Sequence, residues 1–179
     1  MSFSPRPCVA VAAALLSATL VTGCGGTGTL TAQEYPAAAE QLVSAPDLGR
    51  LDPGSPGYAV LAWWRDAQFS DLSGYLSHLS RGVRLRLSAA QVERQLPILA
   101  GGIRTAKPRI LSTEVVGDSA TVYTKIVFRQ PIGATRYVTT TRPQAFHLVL
   151  ARGVWRLSDT YFADSITAAA LKAAETAKS

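Results

Sequence analysis

From Pro108 to Phe162 the chain alternates apolar and polar residues in long runs, broken by short glycine-containing stretches. Period-two alternation of this kind specifies strands with one buried face, and short breaks make their pairing antiparallel. Leu111, Thr113 and Val115 alternate first, and Gly117-Asp118 offers a two-residue turn with glycine leading. A second strand follows over Ala120 to Gln130, with Val122, Thr124, Ile126 and Phe128 on one side. Pro131-Ile132-Gly133 turns the chain into a third strand, Arg136 to Ala151, where Pro143 implies a bulge or an edge position. Arg152-Gly153 then turns into a fourth, Val154 to Phe162. A two-residue turn there pairs Ala151 with Val154, Leu150 with Trp155 and Leu148 with Leu157. Phe146, Leu148, Leu150, Trp155, Leu157 and Asp159 fall on the core side, and His147, Val149, Arg156 and Thr160 on the other.

The preceding sequence reads as helical. Ser55-Pro56 is a good N-cap followed by proline at the first helical position. Val60, Leu61, Trp64 and Ala67 then form one stripe. Trp63 points about 100° away from Trp64, so one indole is expected in the core and the other at a pocket or under a loop. A second helix is expected over Asp71 to Leu79. Val83, Leu85 and Leu87 alternate with Arg84 and Arg86 as in a short strand. Ser88 opens a third helix that Pro97 should end or bend, with Gly101-Gly102 closing it. Ala163 to Ser179 is Ala-rich and reads as a helical tail. The fold class is therefore α+β: three N-terminal helices packed in a curved, cone-like antiparallel sheet of about four to six strands.

In this order of elements, GYAVLAWWRDAQFSDLSGYLSHLS at the front and HLVLARGVWRLSDTYF at the back resemble the nuclear transport factor 2-like superfamily, with its ketosteroid isomerases and SnoaL-like polyketide cyclases. The resemblance covers about Ser55 to Asp164. It implies a cone-shaped sheet wrapped around helices with a cavity between them. Trp63 or Trp64, Phe128, Trp155 and Asp159 are the ligand-binding candidates for such a cavity. It also implies dimerisation through the exposed sheet face, where Tyr123, Val127, His147 and Val149 fall. Enzymes, transport adaptors and dimerisation modules all use this fold, so the fold alone does not settle function.

The N-terminus speaks to location. Arg6 precedes an apolar run from Val9 to Val21, short for a membrane-spanning helix and of the length of a secretory leader. Val21-Thr22-Gly23-Cys24 resembles a bacterial lipobox. That resemblance implies diacylglycerol on the Cys24 sulfur, cleavage after Gly23 and a domain held at the extracytoplasmic face of the cell membrane. Residues 24–54 read as a leash and turn-rich linker, residues 55–164 as the domain and residues 165–179 as its tail. With Cys8 and Cys24 the only cysteines, the mature domain has no internal disulfide and must rely on its core.

No catalytic motif is present. His147 and Asp159 point to opposite sides of the sheet, which argues against a His–Asp pair. Asp159 is the one catalytic candidate, as a base in the mouth of the implied cavity; the alternative is a solvated or capping strand-end aspartate. His78 is expected exposed, and Tyr123 is expected on the outer face. No metal-ligand spacing, phosphate loop or nucleophile elbow appears, and no cofactor is expected. Seven cations and one acid, Glu93, lie between Arg81 and Arg109. For an exported chain of net charge +6 as synthesised, anionic lipid or wall polymer is a better partner than nucleic acid. The expected roles are thus a ligand-binding or protein-interaction module of the envelope, a small-molecule lyase or isomerase using Asp159, or a structural lipoprotein without ligand. The partners implied are the membrane, an apolar small molecule and a second copy.

Overall fold

The computed structural model describes residues 40–132 and 136–177. The leader, Cys24 and the first part of the expected leash lie outside the described residues. Five helices come first: α1 Ala45–Leu48, α2 Pro56–Gln68, α3 Leu72–Ser77, α4 Arg81–Arg86 and α5 Ala89–Ile103. Four strands follow, β1 Ala106–Val116, β2 Ser119–Ile132, β3 Arg136–Ala151 and β4 Val154–Leu157, and α6, Tyr161–Thr176, closes the chain. The strands form one antiparallel sheet in the order β1-β2-β3-β4, so the architecture is α+β.

Both two-residue turns set the register by backbone chirality. Gly117 takes a φ of 57° and Val116 pairs with Ser119. Arg152 and Gly153 both take positive φ, as a type I′ turn requires, and Ala151 pairs with Val154, Leu150 with Trp155 and Leu148 with Leu157. β4 ends at Leu157, however, well short of the expected Phe162, because Ser158 to Thr160 lead into α6. Pro143 sits opposite Lys125 without a bulge. β4 pairs only with Leu148 to Ala151, so β3 has an open edge beside Pro143, where its missing N–H breaks no ladder. The bulge lies instead in β1, at Leu111. Beyond it the expected buried alternation fails, and Leu111, Val115 and Val116 are all exposed.

Three further expectations are corrected. The segment around Val83 is the helix α4, not a strand. Ser80 Oγ accepts from the Val83 N–H to cap it, Val83 alone of its residues is buried, and Leu85 is 76% exposed. α5 runs on through Pro97 and both glycines to Ile103. Pro97 and Glu93, one turn before it, are exposed, so the carbonyl that proline leaves unpaired can face water. The packed chain also begins before Ser55. Gln41, Val43 and Leu48 are buried, and Ser44 and Asp47 form a capping box that opens α1.

The core lies between α2 and the sheet. α2 buries residues around most of its circumference, which a helix enclosed by neighbours can do. Both tryptophans are therefore core: Trp63 is 1% and Trp64 0% exposed. Their rings converge on Phe146, at centroid distances of 5.8 and 6.4 Å, while Tyr75 stacks against Trp63 and Phe162 against Trp64. Phe162 comes from α6, whose first turns bury Ala163 and Thr167; the boundary expected after Asp164 thus falls inside a docked helix. At the β4 edge, the end of the strand is bonded to the chain between α3 and α4. Ser80 N–H donates to the Leu157 carbonyl and Leu157 N–H to the His78 carbonyl, each at 2.8 Å.

Candidate functional site

The interior is occupied by its own side chains. Trp63 and Trp64 offer no surface to a ligand, and Trp155 is nearly buried. Phe128 packs half-buried against the core. Between α5, α6 and Tyr75 remains a void of about 20 Å³, room for roughly one water. Burial, and secondarily the charge of Asp164, push the Tyr75 hydroxyl up to about 12. The Trp63 indole N–H makes no well-formed hydrogen bond, although it leans on that hydroxyl oxygen. Asp159 is not in an apolar mouth. Its Oδ1 accepts from the Tyr161 N–H at 3.3 Å, at the entry to α6, as a capping strand-end aspartate does.

The widest opening among these sites is an open cleft of about 760 Å³, where the chain from Glu40 to Leu51 passes over α2, β1 and β2. Its wall is mixed. Leu51, Leu61 and Ile110 supply apolar surface, and Arg50, Lys107, Arg109 and Arg129 supply four cations. Two of these are engaged. Lys107 Nζ donates to Asp47 Oδ2 at 2.6 Å, and Arg129 pairs with Glu40 while lying over the Tyr137 ring. Asp47 Oδ2 also accepts from the Ser44 N–H and hydroxyl. Burial works against its charge, but the bonds from Lys107 and Ser44 outweigh it and bring the carboxyl down to about 2. Arg50 and Arg109 are exposed and have no side-chain partner among the described residues. Both acids of the cleft are thus committed and two cations are not.

One side chain anchors the segment that forms the cleft. Gln68, at the end of α2, is buried; its Oε1 accepts from the Val43 N–H at 2.9 Å. Its Nε2 faces the carbonyls of Gln41, Ile103 and Ala106 at 2.9 to 3.2 Å. Ala106 O also accepts from Trp64 Nε1.

A smaller pocket of about 110 Å³ lies on the β4 side, lined by Tyr58, His78 and Trp155 among others. His78, expected exposed, is partly buried with Nε2 3.0 Å from Asp66 Oδ2. Burial pushes Asp66 up and His78 down, against the attraction between them. Gly74 makes the approach feasible, since a Cβ there would collide with Asp66 Oδ2. The outer sheet face carries Tyr123, donating to Glu114, and His147, beside Thr121 at 3.3 Å. Val127 and Val149 on that face are half-buried.

Sequence reasoning missed the cleft because the segment that forms one wall of it, Glu40 to Leu51, was assigned to linker. The spacing of Ser44 and Asp47 was the available signal for α1, while the pairing of Asp66 with His78 joins two helices and leaves no periodic trace. No family model matches the chain, and no curated protein matches it. Among solved structures, it is similar at 15% identity to a SEC-C motif containing protein from Rhodopseudomonas palustris, with a TM-score of 0.45 over 69% of this chain and 87% of that one. It is similar at 17% identity to TerC co-crystallised with polyporic acid, with a TM-score of 0.39 over 63% of this chain and 98% of the other. At these scores neither likeness bears on fold family or function.

Proposed function

We propose that this protein is a lipid-anchored binding module of the cell envelope, of nuclear transport factor 2-like fold, that recognises its partner at its surface and not in an internal cavity. The observation that carries the reading is the contrast in occupancy. The pocket beside Tyr75 holds about 20 Å³, whereas the cleft beside α1 offers about 760 Å³, in the range that ligand sites occupy. The order of elements, helices leading into a four-stranded antiparallel meander, supports the fold family. The lipobox-like Val21-Thr22-Gly23-Cys24 after an apolar run supports the anchor. Cys24→Ser should move the protein from the membrane fraction to the soluble extracytoplasmic fraction; unchanged retention would overturn the anchor.

An enzymatic reading no longer favours Asp159, whose carboxylate is engaged at the start of α6. Its best support is the His78–Asp66 pair at the pocket that Trp155 lines. Protein released from the membrane and carrying His78→Asn tests it: equal turnover of any identified substrate by this variant and the parent would remove that reading.

A further inference from the structure

We infer that the cleft beside α1 is a seat for the phosphate-bearing headgroup of an anionic phospholipid, held by Arg50 and Arg109 over the apolar surface of Leu51, Leu61 and Ile110. The inference rests on the anchored reading and deepens it by naming what the cleft meets. Three observations converge. The cations Lys107 and Arg129 are already neutralised by Asp47 and Glu40, so among the described residues Arg50 and Arg109 remain as the cleft's uncommitted charge. The apolar side chains beside them suit the glycerol and first methylenes of a lipid, which free phosphate does not need. Finally, Glu40, on the cleft's rim, lies 16 residues after Cys24. Even fully extended, that length of chain reaches at most about 55 Å, so the acyl chains on Cys24 would keep the cleft near lipid.

Held there, the two arginines would orient the domain as well as bind. A tether alone fixes distance and leaves orientation free. A headgroup in the cleft would face the β1 side of the sheet to the membrane and leave the β4 side, with the His78 pocket, facing outward.

The test uses residues 24–179 carrying Cys24→Ser, which lack leader and lipid but keep the whole packed unit. This protein is sedimented with vesicles of phosphatidylcholine alone or mixed with phosphatidylglycerol. Binding is expected to the mixed vesicles and not to phosphatidylcholine. A surface cation near an anionic bilayer contributes about fivefold, so R50Q/R109Q should weaken partitioning roughly 25-fold. The control R84Q/R86Q removes the same charge from α4, which starts just after the bridge to β4 at the opposite edge of the sheet, and should leave binding nearly unchanged. All four arginines are exposed, and matched thermal unfolding confirms that the variants fold. Equal losses in the two pairs would mean diffuse attraction to a basic protein and would overturn the site. Inorganic phosphate saturating the same arginines without vesicle binding would overturn the lipid source. The anchor is read separately by fractionation of cells, so either conclusion can fall without the other.

Discussion

The aromatic centre and the basic cleft share a boundary at Ala106, yet they are built to opposite rules. On one side, Trp63, Trp64, Phe146 and Phe162 fill the space between α2, the sheet and α6. On the other, one residue further along β1, Lys107 opens a cleft whose wall mixes leucines with arginines. The carbonyl of Ala106 joins the two, accepting from the Trp64 indole and from the Gln68 amide. Closely packed rings give stability and little to recognise; an open, charged wall gives recognition at the expense of packing. In this protein the work of holding the fold and the work of meeting a partner are separated in space.

The sharpest way to break that separation is to open the centre. Trp64→Ala removes a fully buried ring that touches Phe146 and Phe162 and donates to Ala106. It should cost about 3–5 kcal/mol, read as a lower midpoint in urea at unchanged slope. A loss under about 1 kcal/mol would mean that the centre tolerates a cavity and that an internal ligand site is feasible after all.

Gln68→Leu attacks the boundary. The swap keeps the volume but strands the Val43 N–H and the carbonyls of Gln41 and Ile103, and should cost about 2–4 kcal/mol. The distinctive readout is local: the Val43 amide should lose its hydrogen-exchange protection before the amides of β2 and β3 do. Uniform loss across the domain would show that the cleft-forming segment unfolds with the core and is not a separable part. A finer arm compares the two indoles. Trp64→Phe should cost about 1 kcal/mol more than Trp63→Phe, because Trp64 alone gives up a well-formed hydrogen bond.

The same boundary marks how far the sequence could be read. The turns at Gly117 and Arg152-Gly153 demand positive φ, which few residue types tolerate, so the pairing of β1 with β2 near the first turn and of β3 with β4 at the second could be read residue by residue. The burial of Val122, Thr124 and Ile126 followed from the alternation along β2. Short segments were less legible. The six residues of α4 carry a pattern that suits a strand as well as a helix, and the Ser80 cap decides between them. The separation of Trp63 from Trp64 assumed a helix buried on one side, whereas α2 is enclosed. The cleft depends on Gln68 reaching Val43, 25 positions away, and no periodicity encodes such a bond.

The smallest effect separates stability from recognition most cleanly. In the folded chain the Asp47 carboxyl lies near 2, below its unfolded value of 3.8, so its pairing stabilises the fold above about pH 4 and that contribution disappears as pH falls toward 2. The carboxylate still touches solvent, so we expect about 1 kcal/mol and not the full linkage value. Asp47→Asn should lose that amount at neutral pH and flatten the acid limb of a stability profile between pH 4 and 2. An unchanged limb would mean that the bond with Lys107 contributes nothing to folding. The substitution also frees Lys107, adding a third uncommitted cation to the cleft. Binding to phosphatidylglycerol vesicles should therefore strengthen while the fold weakens. A centre that only packs cannot produce that opposite movement; it requires a charged wall whose acids restrain its cations.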